Sequence, residues 1–316
     1  MAFLLLMELT SSSHTSLACF ITSIAYTVGE ILIALFASIS RDWLLLKWIV
    51  SVYFAICLPY AYFVPESPYW LLSQKRYKEL ELFLREIART NGGTEEDWLP
   101  LFNQLMENSR LSTNISHPNH IHKRKQKWIR YLPRLAIGGF IEFVTMLLYT
   151  KISYGLAVDS ETVSPYSNMI IGAFVEGFGY LLASIFIITI LGRKYSLIFF
   201  ASFTSICVLT IPFLMKSSPL WTTIVSQLGK LTVSSTVSVS WIYIPELFPT
   251  DMRGLANAVF VSVGSFGSIL APILDETLGD DYLDFSFYIY SALIVFLVAI
   301  VIPLPETRNR SFDDGD

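Results

Sequence analysis

Met169 to Leu191 and Leu283 to Leu304 each run for about the 20 apolar residues that cross ~30 Å of hydrocarbon. No water is present at that depth, so each backbone amide must find its partner inside its own segment, and the segment must be a helix. Further runs place spanning segments near 16–39, 43–63, 132–156, 168–191, 195–215, 220–243, 255–275 and 283–304. With 53% hydrophobic and 15% charged residues the chain is no ordinary soluble domain. Its net charge of −4, with no basic stripe, points away from nucleic acid. The fold class read from this pattern is all-α, a polytopic transmembrane bundle.

Short acidic tags recur along the chain. Met7-Glu8-Leu9 and Pro65-Glu66-Ser67 bracket two apolar segments, as do Pro245-Glu246-Leu247 and Pro305-Glu306-Thr307 at nearly the same spacing. Such repetition marks a duplicated bundle of two pseudo-equivalent halves. The second half has a long apolar stretch ahead of its first tag, and the first half has only Met1 to Leu6. The expected layout is a remnant of an N-terminal bundle at 1–63, a loop with short helices at 64–131, a six-helix bundle at 132–304 and a tail at 305–316.

Lys and Arg concentrate in cytoplasmic loops. Residues 64–131 hold Lys75, Arg76, Lys78, Arg85, Arg89, Lys123, Arg124, Lys125, Lys127 and Arg130, so this loop is expected inside. Counting across spans puts Arg193-Lys194, Arg253 and the C-terminus with Arg308 inside too. The loops around Asp159-Ser160-Glu161 and Asp275 to Asp284 are acidic and fall outside; Arg41 and Lys47 are the exceptions to this pattern.

Within the loop, Leu72, Leu80, Phe83, Leu84 and Ile87 recur at helical spacing between Tyr69 and Thr90, stopped by Asn91-Gly92-Gly93. A second helix is expected from Trp98 to Met106, with Thr94 as N-cap and Asp97 reaching back. Residues 108–122 read as a polar, mobile linker. His117, His120 and His122 lie there without a neighbouring thiol or carboxylate, a poor metal site. Asn114-Ile115-Ser116 fits a glycosylation acceptor but falls on the cytoplasmic side. Cys19, Cys57 and Cys207 each sit in an apolar run and read as core residues. No nucleophile elbow, phosphate loop or paired metal ligands appear, so neither an enzyme nor a bound cofactor is expected.

Ionisable residues inside spans are costly in hydrocarbon and mark pathways or partners. They are Glu30, Glu142, Glu176 and Lys230, with Lys151 nearer an outer end. Glu142 and Glu176 sit well inside their helices, where they either line a cavity or hydrogen-bond across helices. Gly264, Ser265, Gly267, Ser268 and Ala271 stripe one helix that Pro272 closes, which suits close helix approach and also a pliable helix.

The run Pro65-Glu66-Ser67-Pro68-Tyr69-Trp70-Leu71-Leu72, with Arg76-Tyr77, Ala88 and Asn91-Gly92, resembles the segment after the sixth helix of the organic ion transporters. These are major facilitator superfamily members that carry organic cations, organic anions and carnitine. Tyr154-Gly155-Leu156, Gly192-Arg193-Lys194, Pro245 to Thr250 with Arg253, Pro305 to Arg310 and the turn Ser40-Arg41-Asp42-Trp43 are similar too. The resemblance implies a twelve-helix fold of which helices five to twelve are present and the first four, with the glycosylated outer loop, are lacking. By position, Glu176 matches an acidic residue of the eighth helix and Lys230 a basic one of the tenth. Ser265 falls where cation carriers place an acid and anion or carnitine carriers a base, which leaves the substrate's charge open.

The implied function is secondary transport of a small organic ion by alternating access at the plasma membrane, with Glu142, Glu176, Lys230 and Ser265 lining the cavity. Whether it runs as uniport, exchange or ion coupling stays open. Glu66, Arg193, Lys194, Glu246, Arg253, Glu306 and Arg308 form the motif charges, either an inward gate or helix-end anchors. The chain by itself is expected not to transport unless an oligomer or full-length partner completes the cavity. Two other readings stand beside this one: a non-transporting regulatory or dominant-negative membrane protein, and a sugar porter.

Overall fold

The computed structural model describes residues 5–6, 9–10, 15–114, 120–155, 165–189, 191–278 and 282–307. Every regular element among them is helical. In chain order these are α1 (Thr15–Ser40), α2 (Trp43–Cys57), α3 (Tyr60–Phe63), α4 (Pro68–Ser73), α5 (Tyr77–Thr90) and α6 (Glu95–Asn114). There follow α7 (His120–Thr150) with a π-helical turn at Lys151–Gly155, α8 (Pro165–Ile188), α9 (Gly192–Met215), α10 (Pro219–Glu246), α11 (Thr250–Leu278) and α12 (Leu283–Val301). The chain divides into two compact units, 1–9 with 60–133, and 10–59 with 134–316.

In the larger unit α10 is central, packed on α8 and α9 and touching α1 and α11, while α1 lies along α8 and α12 along α9. Six helices are long and apolar enough to cross a membrane: Leu17–Ser40, Ile129–Ser153, Tyr166–Ile188, Gly192–Met215, Met252–Leu278 and Asp284–Val301. Their outward faces stay bare and apolar, for example Phe174, Phe178 and Ile185 on α8 and Phe199, Phe203 and Ile206 on α9. Water would penalise such faces and lipid does not. This is an integral, multi-pass membrane protein.

α10 is not among those six, because Thr232, Ser234, Ser235, Thr236, Ser238 and Ser240 make it polar, yet all six are buried. Several of these hydroxyls bond carbonyls of their own helix, as Ser235 does to Leu231 (2.8 Å) and Thr236 to Thr232 (2.8 Å). Ser235 also reaches Gly179 O on α8 (2.8 Å), and Thr204 on α9 donates to Thr232 (2.9 Å). Small hydroxyl residues thus let the neighbours approach closely while most of their oxygens stay hydrogen-bonded; the Ser234 hydroxyl is the exception among these six.

Two boundaries differ from the sequence reading. The apolar run 43–63 is not one helix: α2 ends at Cys57, and α3 begins after Pro59, which has no N–H to continue the ladder. α11, in contrast, continues through Pro272 to Leu278; the proline removes one rung, a loss that packed membrane helices tolerate.

The smaller unit has its own core of Leu71, Leu80 and Phe102, joined by Leu72, Leu84, Trp98 and Met106. Ser67 caps α4 through the Trp70 amide (3.3 Å). The periodic stretch 69–90 is broken at Lys75, which takes φ +58, so that the Lys75 and Arg76 amides close on Leu72 and Leu71 carbonyls. Thr94 and Asp97 form the expected cap: the Asp97 carboxylate accepts from the Thr94 amide (2.8 Å) and hydroxyl (2.9 Å). α6 then runs on to Asn114, into the stretch read as linker, and α7 starts at His120; 115–119, with His117, lie outside the described residues.

Candidate functional site

The most concentrated buried charge lies where α1, α7, α8 and α10 meet. Glu176, near the middle of α8, is wholly buried, and Lys230 of α10 and Glu30 of α1 are nearly so. The Lys230 Nζ lies 3.4 Å from Glu176 Oε2 and 3.8 Å from Glu30 Oε1. Tyr149 at the end of α7 and Tyr180, one turn on from Glu176, both donate to Glu176 Oε1, at 2.8 and 2.6 Å. The Tyr26 hydroxyl of α1 lies 3.5 Å from that of Tyr149. Each lone charge at the centre of a membrane helix costs about 2.5–3.5 kcal/mol on insertion scales. Lys230 and Glu176 offset one another, and the two tyrosine hydroxyls satisfy the remaining oxygen of the carboxylate.

Space around the ammonium comes from Gly172. A Cβ there would stand 2.7 Å from Lys230 Nζ, so a side chain on that turn of α8 would displace the lysine from both carboxylates. One turn from Lys230, Gln227 Nε2 lies 3.4 Å from Asn168 Oδ1 and continues the polar seam between α8 and α10.

Glu142 stands apart. It is buried on α7 and accepts from the Trp241 indole (2.8 Å, to Oε1) and Ser240 hydroxyl (3.0 Å, to Oε2) of α10. Among the described residues no basic side chain pairs with it, and α11 closes against it at Gly264. This is hydrogen bonding between helices, the alternative left open in the sequence. Ser265 is exposed on α11 and bonds its own helix at Val261 O (2.7 Å), away from the other three candidates. Lys151, on the π-helical turn, pairs with Asp275 of α11 and lies 5.1 Å above the Phe287 ring of α12.

The motif charges gather at the opposite helix ends. Gly192 opens α9 at φ +74, which lets Glu306 cap that helix by accepting from the Arg193 and Lys194 amides, both at 3.0 Å. Free amides at a helix start carry partial positive charge, so a carboxylate is favoured there. The Arg193 side chain pairs with Glu246 (2.8 Å), which also accepts from the Thr307 hydroxyl (2.7 Å). Tyr243 donates to Pro305 O (2.8 Å), and Lys194 Nζ to Ile302 O (2.6 Å). Arg253 reaches Pro245 O (3.2 Å) and Phe248 O (3.5 Å), anchoring the end of α10. Glu66 is exposed in the smaller unit, and Arg308 lies outside the described residues.

The sequence named Glu176 and Lys230 together. It gave no way of joining them to Glu30, Tyr149 and Tyr180, because the partners come from helices far apart in the chain. Glu30 was visible as an ionisable residue in a span; the tyrosines carried no signal beyond their abundance.

The family model for "Sugar (and other) transporter" matches residues 10–316. Organic cation/carnitine transporter 2 of Mus musculus is 30% identical over 302 residues, covering 91% of this chain and 52% of that protein. The Homo sapiens transporter of the same name is 28% identical over 92% of this chain and 51% of its own length. The chain therefore spans about half the length of the curated relatives it matches. Among solved structures, the proton:xylose symporter XylE of the major facilitator superfamily, bound to 6-bromo-6-deoxy-D-glucose, superposes with a TM-score of 0.73. It is 20% identical, and the match covers 94% of this chain and 66% of XylE. Matched along nearly its whole length and built on the major facilitator fold, the chain belongs to the sugar (and other) transporter family.

Proposed function

We propose that this protein takes part in moving small, positively charged organic ions across the plasma membrane by alternating access, with residues 64–131 and the C-terminus on the cytoplasmic side. The observation that carries the reading is the balance of the buried cluster, in which two carboxyl groups face one ammonium among three tyrosines. Glu176 would supply the counter-charge, and Tyr149 and Tyr180 the aromatic faces on which an alkylammonium ion can rest. The names of the curated relatives support the substrate class. Lys230 holds Glu176 in place and would be the group an incoming cation displaces. The Arg193–Glu246–Thr307 and Glu306 contacts would hold the ends of α9 and α10 together in the state described here.

The test is saturable binding of radiolabelled tetraethylammonium by the chain in lipid nanodiscs. Glu176→Gln should weaken binding about tenfold or more, since each ~1.4 kcal/mol of lost charge-assisted contact is a factor of ten. Absence of saturable tetraethylammonium binding, or its displacement by an uncharged hexose, overturns the reading.

A further inference from the structure

The charges of the buried cluster do not cancel. Glu30, Glu176 and Lys230 are each more than nine-tenths buried, and two carboxylates against one ammonium would leave a bare negative charge between helices. A low-dielectric site rejects such a charge and takes up a proton or a counter-ion instead. The hydrogen-bond pattern indicates which carboxyl group takes it. Glu176 receives two tyrosine hydroxyls and has the nearer ammonium, a set that stabilises a carboxylate. Glu30 receives no tyrosine hydroxyl and has only the ammonium at 3.8 Å, beyond hydrogen-bond reach; its Oε2, like Glu176 Oε2, is buried with no hydrogen-bond partner among the described residues.

We propose that Glu30 is a proton-binding residue, so that the cluster at rest consists of an ionised Glu176–Lys230 pair beside a protonated Glu30. The neighbouring groups fit this assignment. α8 brings Glu176 and Tyr180 to the cluster, α10 brings Lys230 to Glu30 itself, α7 brings Tyr149 to Glu176, and α1 adds Tyr26. α2, which also packs on α1, contributes Lys47, which is exposed. Among these only Lys230 brings a positive charge to the cluster, and Glu176 already holds it more closely.

A consequence follows that rests on the organic-cation reading given above. A cation that displaces Lys230 from Glu176 leaves the ammonium beside Glu30, whose carboxyl group then releases its proton and pairs with it. One positive charge enters as one proton leaves, and the buried charge is unchanged.

Infrared spectroscopy of the full chain in nanodiscs reads the proton directly, through the carbonyl stretch of a protonated carboxyl group. At neutral pH this band is expected in the unaltered protein, lost in Glu30→Gln, and unmoved in Glu176→Asp, which keeps both carboxyl groups and so the charge balance. Glu142→Gln identifies any band from the other buried carboxyl group. Should Glu30→Gln not assemble, Glu30→Asp keeps a carboxyl group and should shift the band. A spectrum unchanged by either Glu30 substitution, or a band shifted in Glu176→Asp, overturns the proposal. Added tetraethylammonium should abolish the Glu30 band; if it binds and the band persists, exchange is excluded. If it does not bind, the organic-cation reading fails while the proton on Glu30 still stands or falls on the band alone.

Discussion

At Gly192 a single backbone angle decides whether the chain's last motif can reach the start of α9. An L-residue at φ +74 is strained, and a Cβ there would lie 3.1 Å from the Glu306 carboxyl group. Gly192→Ala should lower stability by about 1–2 kcal/mol and loosen the cap on the Arg193 and Lys194 amides, as measured by denaturant unfolding in mixed micelles. Unchanged stability would mean that the turn relaxes without loss. Gly192-Arg193-Lys194 and Pro305-Glu306-Thr307 were both legible as motifs whose charges cluster, but the capping of the Arg193 and Lys194 amides by Glu306 was not. A carboxylate that caps a helix from 113 residues away leaves no local pattern, unlike Thr94 and Asp97, whose spacing of three already describes their contact. The same holds for Glu30: the sequence places it inside a span, whereas its rotation toward Lys230 depends on how α1 packs against α8.

At the scale of single elements, the start of α6 should respond to acid. Donation from the Thr94 amide, and then from its hydroxyl, holds the Asp97 carboxyl group below its ordinary value of 3.8. A depressed folded value stabilises above the unfolded pKa, and the contribution is lost as pH falls through the folded one. Hydrogen exchange at the Thr94 amide should therefore quicken, beyond its intrinsic pH trend, as pH drops below about 3.8. In Asp97→Asn this excess should be absent. An identical profile in both proteins would remove Asp97 from the cap. The existence of this helix was legible through Trp98, Phe102 and Met106, while its extension to Asn114 was not. Residues 108–114 are mostly polar, and a helix with no apolar stripe gives periodicity nothing to register. The π-helical turn at Lys151–Gly155 was hidden for a different reason, since an extra residue per turn changes the backbone without changing the apolar character of the run.

For the molecule as a whole, the orientation proposed from the distribution of Lys and Arg can be tested by chemistry at the surface. Cys19 and Cys207 are buried and Cys57 is exposed, so Cys57→Ser gives a quiet background. In intact cells a membrane-impermeant maleimide should then label Ser217→Cys, between α9 and α10, and leave Thr90→Cys, at the end of α5, untouched. The reverse result would invert the topology. Most of the bundle was readable because lipid exposure demands long uninterrupted apolar runs, which six helices have. α10 departs from that logic: it is enclosed by its neighbours yet not among those six helices, with a lysine near its middle and a row of hydroxyls. During synthesis a nascent segment partitions into the bilayer largely by its own transfer free energy, and Lys230 alone weighs against entry by about 2.5–3.5 kcal/mol. The hydroxyls that let α10 sit between α8 and α9 thus make it a poor solo entrant. Its passage from the translocon into lipid depends on neighbours already in place to receive it, which makes biogenesis of this bundle a cooperative act.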